Sequence, residues 1–187
     1  MHNLKTEGII IKRRNFNEAD RMITVLTRDF GKLSIKATGV RRITSRRSSH
    51  IELLNHTELS LYNGRSMPTL IEAQTINSFP NVKDDLTKTG FAYHICELID
   101  GLCAEEQEQP SVFFLVKRTL ERLSSQEDSL LVIHEFEIEL LTLLGFWHKK
   151  AEDSKTLDTH HFIENILERK LKSHNIFAKI HREDFAS

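Results

Sequence analysis

The feature that most constrains this chain is a change of hydrophobic period at Pro80. Before it, short apolar runs rich in Ile, Val, Leu and Thr are separated by turn residues. After it, apolar residues recur at helical spacings of three, four or seven. The first runs are "EGIIIKR", "DRMITVLTR", "LSIKAT", "ELLNHTELSLY" and "TLIEAQTINSF", with "DFGK" supplying a turn at Gly31 and "NGRSMP" another. In "TELSLY", Leu59 and Leu61 alternate with Glu58, Ser60 and Tyr62, as a half-buried strand requires. Five strands with one long connection after the third predict a small closed barrel, and the OB-fold is the barrel of that description.

The second part reads as helices. "NVKDDLTKTGFAYHICELIDGLCAEEQEQ" carries Leu86, Tyr93, Cys96, Ile99 and Cys103 at helical spacing. Pro110 opens "PSVFFLVKRTLERL", where its missing N–H costs nothing. "SLLVIHEFEIELLTLLG" follows the acidic pair Glu127 and Asp128, stops at Gly145, and should bury Phe136, Leu140 and Leu144. "HFIENILERKLKS" reads as a fourth helix with Phe162, Ile166, Leu167 and Leu171 inward. The expected fold class is α+β: an N-terminal OB-fold five-stranded β-barrel over residues 1–80, followed by an all-α helical domain over 81–187.

A formal net charge of -1 conceals a division along the chain. Residues 1–80 hold 13 Lys and Arg against 7 Asp and Glu, whereas residues 81–187 hold 13 against 20. A cationic barrel suits a polyanion such as nucleic acid. The segment "GVRRITSRRSS", residues 39–49, concentrates four arginines, whose guanidinium groups keep their charge and fork onto phosphate oxygens. Ser45, Ser48 and Ser49 suit a flexible loop that orders on phosphates. An OB-fold binds single strands through a cationic groove and aromatic stacking. The expected contacts are Lys12, Arg13 and Arg14 at the end of the first strand, Arg21 opening the second, and Lys32 and Lys36 on the third. The loop adds Arg41, Arg42, Arg46 and Arg47, and Phe16 and Tyr62 are the stacking candidates. The acidic half is expected to serve packing and partner contact, with Glu105, Glu106 and Glu108 either a docking face or a solvated helix end.

Signs of catalysis are few. The chain has no Gly-rich phosphate loop, no G-x-S-x-G, no H-E-x-x-H and no C-x-x-C. Glu137 and Glu139, two apart on a helix, read as solvated surface. His148, Asp158, His160 and His161 flank one loop and could be drawn into a zinc site, but the plainer reading is exposed polar residues near a helix start. Cys96 and Cys103 read as buried thiols. No cofactor and no metal is expected. No run approaches the roughly 18 apolar residues of a membrane span, so a cytoplasmic protein with no membrane partner is expected.

The order of segments resembles the bacterial RecO family. "TEGIIIKRRNFNEADRMITVLTRDFGKLSIKATGVRR" is similar to that family's opening, and the likeness continues through "ELSLYNGRSMPTLIEAQTINSFP", "FAYHICELIDGL", "FEIELLTLLGF" and "LERKLKS". The resemblance implies a non-enzymatic DNA repair protein that binds single- and double-stranded DNA and anneals complementary strands. It also implies RecR and single-stranded-DNA-binding protein as partners, with RecA loaded indirectly, and a nucleoid-associated location. Many members carry a four-cysteine zinc module after the position of "LLGF". Here that stretch is "WHKKAEDSKTLDTHH", without cysteine, so the zinc is not carried over, and the C-terminus is expected to be short. Two other readings of the residues stay open: an RNA-binding OB-fold protein, and a protein–protein adaptor whose barrel takes an acidic peptide.

Overall fold

The computed structural model describes residues 2–64, 67–148 and 158–173. Strands β1 (His2–Phe16), β2 (Asp20–Thr27), β3 (Gly31–Ala37), β4 (His56–Asn63) and β5 (Thr69–Asn77) form a closed barrel in the order β1-β2-β3-β5-β4. Neighbours are antiparallel except for β3 and β5, which pair in parallel. Closure depends on β1. Its 15 residues pair with β4 from His2 to Ile9 and with β2 from Gly8 to Phe16. A bulge between Ile10 and Lys12 bends β1 from one partner towards the other, which is why Ile9, Ile10 and Ile11 are all buried instead of alternating. At that bend a Cβ on Gly8 would lie 2.4 Å from Val25 Cγ1, so only glycine fits. Ile10, Ile23, Val25, Leu33, Ile35, Leu59 and Leu61 fill the interior, the domain is OB-like, and the chain is α+β.

The chain divides into two compact units, Met1–Phe79 with Cys103–Lys117, and Pro80–Leu102 with Arg118 onward. The barrel unit thus includes a segment well past residue 80. That segment lies along β3: Glu106 N–H donates to Lys32 O at 2.9 Å, and Ser34 Oγ donates to Glu105 Oε1 at 2.9 Å. Phe113, fully buried, meets the edge of the His56 ring with centroids 5.8 Å apart.

The helical unit contains α1 (Pro80–Lys83), α2 (Leu86–Leu102), α4 (Ser129–Leu143) and α5 (Thr159–Leu167), and α3 (Pro110–Leu123) is divided between the units after Lys117. Asp128 caps α4 by accepting from the N–H groups of Leu130 and Leu131, as the acidic start predicts. Phe136 and Leu140 are buried, whereas Leu144 is the half-buried cap residue. The last helix differs from expectation. It ends at Leu167 because Glu168 adopts a left-handed conformation (φ 53), and its buried positions are Thr159, Ile163 and Glu164, with Phe162 and Ile166 only half-buried. Leu171 is buried beyond the helix end. Cys96 and Cys103 are buried free thiols, pushed up by burial to about 12 and about 11, and so hold little thiolate at neutral pH. No described helix is long and apolar enough to cross a membrane.

Candidate nucleic-acid interface

In an antiparallel ladder, residues directly opposite one another share a face, and faces alternate along each strand. Because Ile10, Ile23, Ile35 and Leu61 point into the core, the register assigns Lys12, Arg14 and Phe16 of β1, Lys36 of β3 and Tyr62 of β4 to the outer face. One ladder row, Arg14–Met22–Lys36–Thr69–Tyr62, crosses all five strands. At roughly 4.8 Å per strand it spans about 19 Å of curved surface. Phe16 and Tyr62 are 40% and 42% exposed, so each presents ring surface outward. Lys36 Nζ stands 5.6 Å from the Phe16 ring centroid and 3.7 Å from Asp20 Oδ2. Asp20 accepts from Gly39 N–H at 2.8 Å, and that bond, aided by Lys36, holds its carboxyl below the usual range against the opposing effect of burial.

The arginine segment is a string of turns rather than the flexible loop its serines suggest. Arg42, Ser45 and His50 N–H groups each donate three residues back, and Val40 and Ile51 anchor the segment in the barrel core. Arg41 is tied to the β1–β2 turn beside Phe16: its N–H donates to Ala19 O at 2.9 Å and its guanidinium to Asn17 O at 3.2 Å. Arg14, Arg42 and Arg46 are exposed, and their guanidinium groups have no hydrogen-bond or ion-pair partner among the described residues.

Four expected cations stand elsewhere. Arg47 is a brace, donating through Nη1 to Leu70 O at 2.7 Å and through Nη2 to Thr38 O at 2.8 Å. Arg13 and Arg21 continue the inward-facing ladder of Ile23 and Ile35 to the barrel's rim, where both meet Glu52, Arg21 at 3.6 Å. Lys32 is on the outer face but only 5% exposed, beneath the segment that carries Glu105 and Glu106. The charges are visible in the sequence; the bulge that sends Lys12 and Arg14 outward and Arg13 to the rim is not.

Glu137 and His160 are corrected outright. Glu137 is 1% exposed, not solvated, because it shares the inward stripe Ile133, Phe136, Glu137, Leu140 and Leu141. That i, i+3, i+4, i+7, i+8 pattern was the available signal. Burial alone would raise its carboxyl, but hydrogen bonds from His160 and His94 hold it down to about 2. His160 turns inward to Glu137 Oε1 at 3.0 Å, and its pKa is raised because that carboxylate outweighs the penalty of burial. The set with His148, His161 and Asp158 does not converge: His148 and His161 are exposed, and Asp158 caps α5 by accepting from His161 N–H at 3.0 Å. The four-cysteine module has no counterpart, since the chain has two cysteines, both upstream. Residues 149–157 lie outside the described residues.

Comparison with known proteins agrees with this architecture. A family model for the N-terminal part of recombination protein O matches residues 1–79, and one for its C-terminal part matches residues 83–149. The chain is 38% identical to "DNA repair protein RecO" of Dehalococcoides mccartyi over 145 residues, covering 78% of this chain and 57% of that protein. Proteins of the same name are 35% identical in Symbiobacterium thermophilum, over 75% of this chain and 56% of the relative, and 27% identical in Listeria welshimeri, over 76% and 56%. The chain thus spans somewhat more than half the length of these relatives. With both family models matched in order, and the first ending where the barrel ends, the chain belongs to the recombination protein O (RecO) family.

Proposed function

We propose that this chain is a DNA-binding protein of recombinational repair that makes and breaks no bonds itself. It binds single- and double-stranded DNA, anneals complementary strands and, with RecR, helps load RecA onto strands coated by single-stranded-DNA-binding protein. Family membership supports the repair role. The observation that carries the binding reading is the outer barrel face on which Arg14, Lys36, Phe16 and Tyr62 share one side of the sheet, with Arg41 tied beside Phe16. Cations at this spacing neutralise phosphates and release counterions, which lowers the repulsion between two strands. Exposed rings stack on any base, so the track is indifferent to sequence.

Fluorescence anisotropy on a labelled single strand tests this. With roughly five phosphate contacts, log affinity should fall against log salt with a slope of about -3.5. Changing Arg14, Arg42 and Arg46 together to Ala should flatten the slope by about 2 and slow annealing of complementary oligonucleotides. A slope near zero in the unaltered chain, or annealing untouched by the triple change, contradicts the reading. Stronger competition by RNA than by DNA of equal length would favour an RNA-binding role.

A further inference from the structure

We infer that His94, Glu137 and His160 form a binding site for one divalent transition-metal ion of the zinc type, independent of the barrel's outer face. His94 comes from α2, Glu137 from α4 and His160 from the first turn of α5, so three separate elements of the helical unit converge. His94 Nε2 lies 2.7 Å and His160 Nε2 3.0 Å from the same oxygen, Glu137 Oε1, and one ligand atom from each residue lies within 4.8 Å of the others. The side chains of His94 and Glu137 are 0% and 2% exposed. That of His160 is 23% exposed, which leaves an approach from solvent. The two imidazole rings are nearly parallel, 19° apart, with both Nε2 atoms turned to the carboxylate.

The surrounding hydrogen bonds favour a cation here. Ser173 Oγ donates to Glu97 Oε2 at 3.0 Å and lies 2.6 Å from His94 Nδ1. A serine hydroxyl has one proton, so if Glu97 takes it, Nδ1 of His94 must supply the proton of the second bond. In a neutral ring that leaves a lone pair on Nε2, aimed at a carboxylate oxygen. Two acceptors 2.7 Å apart need positive charge between them. Glu137 Oε2 is engaged separately by Thr159 Oγ1. The outer atoms of His94 and Glu137 are therefore oriented by neighbours, as the ligands of metal centres are. A proton on His94 Nε2 or a dication would supply the charge, whereas His160 can donate to the same oxygen from a neutral ring; a dication would satisfy all three ligand atoms at once.

Two histidines and a carboxylate form a standard three-residue set for zinc, with water in the fourth position. Tetrahedral coordination needs ligand atoms about 3.3 Å apart. The two nitrogen–oxygen separations, 2.7 and 3.0 Å, would open by a few tenths of an ångström, which side chains on separate helices can absorb. No cysteine takes part.

The test is metal uptake by the full chain after stripping with a chelator. Titration with Co²⁺ should give one ion per chain, visible d–d absorption of tetrahedral intensity, displacement by one equivalent of Zn²⁺, and a higher melting temperature. His160→Gln should abolish the absorption, Ser173→Ala should weaken binding by roughly ten- to a hundredfold, and His161→Gln, at an exposed neighbour, should change neither. Absence of uptake by the unaltered chain would assign the cluster to a proton on His94 and overturn the inference, as would equal uptake by His160→Gln. Should His160→Gln fail to fold, unchanged affinity in a folded Ser173→Ala protein overturns it instead.

Discussion

Replacing Arg47 with alanine separates the arginines of residues 39–49 by what each does. Arg47 bridges two main-chain carbonyls, Thr38 O just past β3 and Leu70 O in β5. Its loss leaves both acceptors without their charged donor. A hydrogen bond to a charged group contributes about 1.5–3 kcal/mol, but Arg47 is half-buried and water can reach the vacated carbonyls, so the two bonds together should cost about 2 kcal/mol rather than their full sum. For a chain of 187 residues that lowers Tm by about 4–8 °C. Arg42→Ala and Arg46→Ala remove exposed guanidinium groups without partners among the described residues and should shift stability by less than about 0.5 kcal/mol. Arg47→Lys keeps the charge but not the planar fork, and should recover little of the loss. Thermal unfolding followed by circular dichroism at fixed salt reads all four variants against the unaltered chain. An Arg47→Ala chain that melts within a degree of the unaltered one would show that the brace contributes nothing and would return Arg47 to the proposed binding cations; an Arg42→Ala chain that loses as much would refute the separation.

Phe16→Ala and Tyr62→Ala should each weaken single-strand affinity by about 1–3 kcal/mol if a base stacks there. Anisotropy at constant salt should show that loss with an unchanged salt slope. Gly31→Ala should destabilise the barrel unit by more than about 1–2 kcal/mol, since Gly31 has φ 67 and a Cβ would fall 1.8 Å from Gln107 O; urea unfolding measures it. Glu97 gives a pH signature. Although burial opposes its charge, Arg169 and the N–H groups of Lys172 and Ser173 hold its carboxyl down to about 2, against an ordinary value of 4.5. Because the folded value is the lower one, its contribution is complete above pH 4.5 and drains away between there and pH 2. Glu97→Gln should therefore flatten the acid limb of the stability curve in that window.

What could be read from the sequence followed periodicity. Strand alternation at Leu59 and Leu61, the stop at Gly145 and the opening Pro110 each act locally, and the structure has them where they were expected. The proposed binding face was legible only as composition. Which of Lys12, Arg13 and Arg14 point outward depends on one bulge, and which arginine of residues 39–49 is a brace depends on carbonyls of β5 some 23 residues on. The position of Glu137 in the inward stripe is visible in the sequence, although its charge alone points to solvent. Its partners, 43 residues upstream and on the far side of a polar stretch, are not visible there.

The placement of residues 103–117 with the barrel bears on how the protein is made. Strands β1 to β5 leave the ribosome complete by Asn77, but the peptide that lies along β3 and the ring that meets His56 are still to be synthesised. At about 5–20 residues per second the nascent cylinder waits a few seconds with that flank uncovered. A fragment cut after residue 80 would remain in the waiting state permanently, with Lys32 and Gly31 open to water.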